Sequence, residues 1–247
     1  MIPAPTVADG LLAFDTSTEQ LAVGLLSAGR RWTADLPGGA QASRLLLPAA
    51  RELLQRAGTS LPHLAAVAFG RGPGAFTGLR TSCAVAQGLA LGLRLPVLPL
   101  DSLMLVAEQV RQQADLPADG DVGVAMDARM GELYSARYRW RGGVWQVVQP
   151  PGLWSAQVLA AAWAAAPPSS MAGTGRELLG AAWPRSSPGP QWAPVGDPRA
   201  PALLALAERA WQAGASVDAA DALPLYLRDK VALTTDERAA IRPARGA

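Results

Sequence analysis

Short apolar runs bounded by Gly, Pro and Asp alternate along this chain with longer stretches of helical period, and the alternation occurs twice. Residues 11–14 predict a strand that stops at Asp15, and the polar tip 16–20 turns it back into a second strand at 21–26. A third strand spans 30–36 before the Pro37-Gly38-Gly39 break. A helix is expected over 43–57, kinked at its interior Pro48. Then come a strand at 65–69, a glycine-rich loop, a helix over 77–93, a strand at 95–98 closed by Pro99, and a helix from Asp101-Ser102 to 113. The Asp- and Pro-containing stretch 114–120 reads as a linker, after which the pattern restarts. Strands are expected at 122–126, ending at Asp127, then at 132–139 and 144–148. A helix at 155–165, a short strand around Met171, the loop Gly173-Thr174-Gly175 and helices at 177–183 and 201–213 follow. The predicted units are residues 10–113 and 121–235, with a basic, flexible tail at 236–247.

The glycine-rich stretch 70–80 concentrates four glycines between Gly70 and Gly78. Glycine permits backbone conformations and close approaches that other residues resist. With a strand before it and a helix after it, the stretch could offer N–H groups to an anion or let another backbone come close. Thr77 is placed to cap the helix, with Leu79, Cys83, Ala86 and Ala90 on its buried face. The match of Gly70, Gly72 and Ala75 to a dinucleotide fingerprint is weak, because Pro73 intrudes and no acidic residue lies at the required distance. A phosphate-binding P-loop fails as well, since Gly78 is followed by Leu79 and Arg80 rather than Lys and a hydroxyl residue. Arg80 in a first helical turn opposes the helix dipole and suggests an acidic partner.

Composition narrows the chemistry. The chain has 247 residues, half of them hydrophobic, with a formal net charge of +2. That is a cored protein without the cationic density of a direct nucleic-acid binder. His63 is the only histidine, so a paired-histidine metal site or a Ser-His-Asp triad has little to draw on. Cys83, also the only one of its kind, reads as a small buried hydrophobe. With no leader-like start and no apolar stretch of membrane length, a cytoplasmic location is expected.

Six segments carry a resemblance: 14–18 (FDTST), 68–80 (AFGRGPGAFTGLR), 86–90 (AQGLA), 126–134 (MDARMGELY), 173–175 (GTG) and 224–228 (PLYLR). In this order they resemble the TsaB family, also called YeaZ. The resemblance implies an α/β fold of two tandem ribonuclease-H-like lobes, the actin-like ATPase plan, each a mixed sheet with flanking helices. It implies a bacterial subunit of the machinery that makes N6-threonylcarbamoyladenosine at position 37 of ANN-decoding tRNAs. In that machinery TsaD is the catalyst and TsaE an ATPase, and the TsaB-type chain supports TsaD without catalysing. The implied partners are TsaD, TsaE and a second copy of this chain, with tRNA met through the complex and no membrane. Ala42 stands where relatives often carry a histidine.

The candidate residues fall into two sets. Ala84, Gly88 and Gly92 recur every four residues and leave a shallow groove that intramolecular packing would use as readily as a subunit interface. The resemblance, to a family that pairs through N-domain helices, implies that Phe76, Thr77, Arg80, Ala84 and Gly88 meet a protein partner. Asp15, Thr16, Ser17, Asp127, Gly173 and Gly175 mark a vestigial nucleotide or phosphate site, each also explicable as ordinary turn chemistry. Asp127, Arg129 and Glu132 read as a self-paired surface cluster. No catalytic residue, metal or required cofactor is expected, with weak or interface-bound ATP or ADP allowed for. The alternative is an independent ATP-using kinase or ATPase, which needs Asp15 and Asp127 to orient magnesium and phosphates.

Overall fold

The computed structural model describes residues 10–114, 116, 119–189 and 191–228. The tail expected at 236–247 lies outside them. The first unit runs β1 (Leu11–Asp15), β2 (Gln20–Ser27), β3 (Arg30–Pro37), α1 (Ala42–Ala57), β4 (Ala66–Gly72), α2 (Phe76–Leu93), β5 (Val97–Asp101) and α3 (Ser102–Gln113). The second runs β6 (Asp121–Asp127), β7 (Glu132–Arg141), β8 (Val144–Ser155), α4 (Ala156–Ala165), β9 (Ser170–Ala172) and α5 (Arg176–Ala182). It is followed by α6 (Ala200–Gln212). The sheets have the orders β3-β2-β1-β4-β5 and β8-β7-β6-β9. In each, an antiparallel meander adjoins a parallel pair, β1 with β4 and β6 with β9. The chain therefore has two mixed α/β lobes with flanking helices.

Residues 11–14 of β1, 21–26 of β2 and 66–69 of β4 are apolar without interruption because both faces are covered, whereas the edge strand β3 carries Arg30, Arg31 and Asp35 and is half-buried to exposed. Leu12, Phe14, Val23 and Leu25 pack with α1 and α2 through Leu46, Leu53, Cys83 and Ala86. Leu11, Ala13 and Ala22 face the opposite way, onto Leu203, Leu204 and Ala207 of α6. Helix α6, expected with the second unit, thus packs on the first sheet. A Cβ at Gly24 would collide with Leu204, so only glycine lets α6 lie this close to β2. Helix α3 bridges the lobes. Its Leu103, Val106 and Val110 meet Val122, Val124 and Tyr138 of the second sheet, while Leu105 joins the α6 cluster. The other face of the second sheet packs on α4 and α5 through Leu159, Trp163 and Leu179.

Several boundaries differ from expectation. Strand β4 continues to Gly72, so the loop before α2 shrinks to Pro73, Gly74 and Ala75. The N-cap of α2 is Ala75, with no side-chain cap, and Thr77 lies inside the first turn. Thr77 is an exposed residue there and is not the cap. Strand β5 runs through Pro99 instead of ending at it, and β8 runs through Pro150 and Pro151. Both are at sheet edges, where a missing N–H costs no ladder bond.

Candidate functional site

The strand end at Asp15 is built into the glycine stretch. Asp15 is fully buried, and its Oδ1 accepts from the Ser17 amide at 3.0 Å and the Ser17 hydroxyl at 2.7 Å. Oδ2 accepts from the Ser102 hydroxyl at 2.6 Å, and the Ser102 oxygen in turn accepts from the Gly72 amide at 3.1 Å. Arg199, at the start of α6, places a guanidinium nitrogen 3.4 Å from Asp15 Oδ1 and another 3.4 Å from Gln109 Oε1. The backbone amides of Arg199 and Ala200 donate to Asp35 on β3 at 2.7 and 3.0 Å, which serves as a remote cap for α6. Burial pushes the Asp35 carboxyl above its ordinary range, against these amide contacts.

The glycines are what allow this packing. A Cβ at Gly70 would collide with the Asp15 carboxylate, one at Gly74 with the Ser17 carbonyl and side chain, and one at Gly78 with the Thr16 carbonyl. The hairpin tip is tied down by Ala75 N donating to Ser17 O at 2.8 Å and by the Thr16 hydroxyl donating to Gly78 O at 2.6 Å. The stretch thus serves close backbone approach between β1, β4 and α2.

In the second lobe, Asp127, Gly173 and Gly175 also come together. Thr174 Oγ1 accepts from Asp127 N at 3.0 Å, and Gly175 N donates to Ala125 O at 2.9 Å. A Cβ at Gly173 or Gly175 would strike the Ala125 carbonyl, so these glycines too are occupied by close packing. Asp127 is exposed and takes Arg129 N on Oδ1 at 2.7 Å, with the Arg129 guanidinium 3.7 Å from Oδ2. Glu132 pairs instead with Arg228, at 2.8 Å.

Between the lobes lies a cleft of about 920 Å³. Ser17, Asp127 and Gly173 line it, while Asp15, Thr16 and Gly175 are buried outside its lining. Its walls carry apolar side chains, among them Val106, Met126, Tyr134, Trp192 and Leu225, together with polar and charged ones from both lobes, including Glu19, Gln109, Arg176 and Arg199. A magnesium-phosphate group does not fit the donor set as it stands. Both oxygens of Asp15 are engaged by hydroxyl, amide and guanidinium donors, and a cation there would have to displace Arg199. Among the described residues, no group of three or more His, Cys, Asp and Glu side chains could hold a metal ion.

The lobes are pinned by buried polar contacts. Tyr138 on β7 donates its hydroxyl to Asp101, whose other oxygen caps α3 by accepting from Leu103 N at 2.9 Å. Burial raises the Asp101 carboxyl above its ordinary range, and burial together with the Asp101 charge pushes the Tyr138 phenol well above its own. Glu108 on α3 is fully buried, with Arg111 at 2.7 Å, Arg209 of α6 at 3.1 Å and the Trp145 indole N–H of β8 at 2.8 Å. Burial opposes its ionisation, but those donors and the Arg209 charge outweigh it and lower its pKa.

The residues expected to meet a partner lie along α2. Thr77, Arg80, Ala84 and Gly88 are exposed and Phe76 half-buried, and a Cβ at Gly88 or Gly92 would meet nothing within 4 Å. Arg80 stacks on the Phe76 ring at 3.8 Å and reaches the Tyr226 hydroxyl at 3.4 Å, so its first-turn charge has an aromatic neighbour within the chain. Sequence reasoning missed Ser102, Gln109 and Arg199. The detectable signal was a cation at the start of an apolar helix, the same dipole conflict noted at Arg80.

Residues 39–172 match the family model described as TsaD, tRNA N6-adenosine threonylcarbamoyltransferase. The chain is similar to proteins named tRNA threonylcarbamoyladenosine biosynthesis protein TsaB. That of Haemophilus influenzae is 41% identical over 50% of this chain and 51% of its own length. That of Escherichia coli is 39% identical over 55% and 58%. The matched region therefore spans about half the length of these curated relatives. Two solved Pseudomonas aeruginosa structures cover 89% of this chain and 100% of their own. One, titled as an uncharacterized protein with similarity to peptidase YEAZ, is 38% identical with a TM-score of 0.79. The other, titled YeaZ, is 36% identical with a TM-score of 0.77. With such identity over the whole of both solved chains, on a two-lobed α/β fold, this chain belongs to the TsaB (YeaZ) family.

Proposed function

We propose that this chain is a non-catalytic subunit that binds and supports TsaD in forming N6-threonylcarbamoyladenosine at position 37 of ANN-decoding tRNAs. The observation that carries the reading is the exposed, small-residue face of α2, where Ala84, Gly88 and Gly92 leave open space beside Arg80 and Phe76. Such a face lets another helix approach closely. The relatives named for tRNA threonylcarbamoyladenosine biosynthesis point to what would dock there. In this reading TsaD occupies the α2 face, a second copy of the chain competes for it, TsaE joins the assembly, and tRNA is met through the complex in the cytoplasm. The chain requires no cofactor of its own, and ATP or ADP binds weakly or at an interface. The engagement of Asp15 by Ser17, Ser102 and Arg199 supports a structural part for that carboxylate over magnesium binding.

The test is reconstitution of tRNA modification from TsaD, TsaE and threonylcarbamoyl-adenylate with and without this chain. Product formation is expected to depend on it. Robust ATP turnover by the purified chain alone, abolished by Asp15→Asn, would instead establish the independent ATP-using enzyme.

A further inference from the structure

The segment 222–228, which contains one of the sequence motifs and touches Phe76 and Arg80 of α2, crosses from one lobe to the other. On the first lobe, Ala222 O accepts from Cys83 Sγ at 3.0 Å and Gln87 Nε2 at 3.2 Å, both on α2. Leu225 N donates to Arg71 O on β4 at 2.7 Å, and the Tyr226 ring packs on Phe76 with centroids 5.1 Å apart. Two residues on, Arg228 belongs to the second lobe. Its NH2 donates to Ala128 O at 3.0 Å and lies 2.8 Å from Glu132 Oε2, with only 16% of the side chain exposed.

The turn that Arg228 grips is unusual. Arg129, Met130 and Gly131 have φ of 66°, 56° and 76°, and two of these three left-handed residues carry side chains. Such conformations cost free energy away from glycine and persist where surrounding contacts hold them. The geometry aims the Ala128 carbonyl at the Arg228 nitrogen that also meets Glu132, while the other arm of the planar guanidinium fork, NH1, lies 3.2 Å from Met130 Sδ in the same turn. Residues 225–228 and 128–130 all line the interlobe cleft.

We propose that the segment 222–228 is an interlobe latch, in which Arg228 clamps the 128–132 turn while Leu225 and Tyr226 fix the other end to β4 and α2. The latch sets how far the cleft opens. This does not depend on what α2 binds or on the role of the chain in tRNA modification.

The test places spin labels at Glu19→Cys and Arg176→Cys, residues that line the cleft from the two lobes, with buried Cys83 left in place. Arg228→Ala is expected to broaden the label distance distribution toward longer values. It should also reduce amide protection roughly tenfold both at Glu132 in the turn and at Leu225 on the first lobe. Tyr226→Ala, which frees the opposite end, should produce the same broadening. Arg228→Lys keeps the charge toward Glu132 but loses the fork, so a smaller change is expected, and it serves as a second variant if the alanine form folds poorly. An unchanged distance distribution in all three variants, or protection lost at Glu132 with Leu225 unaffected, would show a local brace and overturn the latch.

Discussion

The guanidinium of Arg199 lies 3.4 Å from a carboxylate oxygen of Asp15 across 184 positions of sequence, with the two side chains 8% and 0% exposed. It joins the start of α6 to the end of β1 beneath the cleft. Removing one member of a buried pair leaves the other charge uncompensated. Arg199→Met is therefore expected to destabilise the fold by about 3 kcal/mol in urea unfolding. Asp15→Asn in the same chain should recover part of that loss. Strict additivity of the two variants would show that the pair is not coupled.

The Tyr138 hydroxyl and Asp101 make a second contact, between β7 and the residue that ends β5 and caps α3. Tyr138 has its pKa raised on folding, so its contribution is fully present below the unfolded value of about 10 and is lost as pH rises through the folded value. Tyr138→Phe should cost about 1–3 kcal/mol at neutral pH, by leaving one Asp101 oxygen without its donor. It should also flatten the alkaline limb of stability against pH. An alkaline limb identical to that of the parent chain would contradict the assignment.

Glu108 and Asp121 work at the opposite end of the pH scale. The pKa of each is lowered, because charged and neutral donors outweigh burial, with Arg111, Trp145 and Gln112 around Glu108 and Arg137 and Ser169 around Asp121. A lowered carboxylate pKa gives stability that is present above the unfolded value, near 4, and lost as pH falls through the folded one. Glu108→Gln should lower stability at pH 7 by about 3 kcal/mol. The gap from the parent should narrow steadily on acidification below about pH 4, measured by denaturant midpoints across pH.

Glycines in one short region should respond in opposite ways. Gly78→Ala drives a methyl into the Thr16 carbonyl and is expected to cost several kcal/mol, on the order of 3 or more, or to prevent folding. Gly88→Ala enters open space on an exposed helix and should stabilise the isolated chain by up to about 1 kcal/mol. Thermal melts of the two variants read the contrast directly.

The docking face makes its own prediction. Gly88→Trp should leave the melting temperature of the isolated chain within a few degrees of the parent. It should weaken TsaD binding by about 2 kcal/mol or more, roughly thirtyfold in Kd, by filling the groove. A calorimetric titration with unchanged affinity would remove this face from the interface.

Much of the architecture is legible in the sequence alone. The strand-helix order of both units and the buried face of α2, formed by Leu79, Cys83, Ala86 and Ala90, follow from local periodicity. The errors have local causes as well. Pro99 suggested a strand end because the one-dimensional pattern does not distinguish an edge strand from a central one. Thr77 suggested a cap because a hydroxyl near a helix start is a good cap only where the backbone places it outside the first turn, and here Ala75 holds that position.

The sequence by itself determined that the chain had two α/β units and that four glycines between Gly70 and Gly78 left a strand-to-helix junction open to an anion or to a close backbone, since both are properties of neighbouring residues. Tertiary structure alone decided what those glycines touch, that α6 returns to the first sheet, and that Arg199 and Ser102 complete the surroundings of Asp15. The reason is physical. Period and turn chemistry act over a few residues, whereas a buried carboxylate draws its partners from wherever the fold has already excluded water.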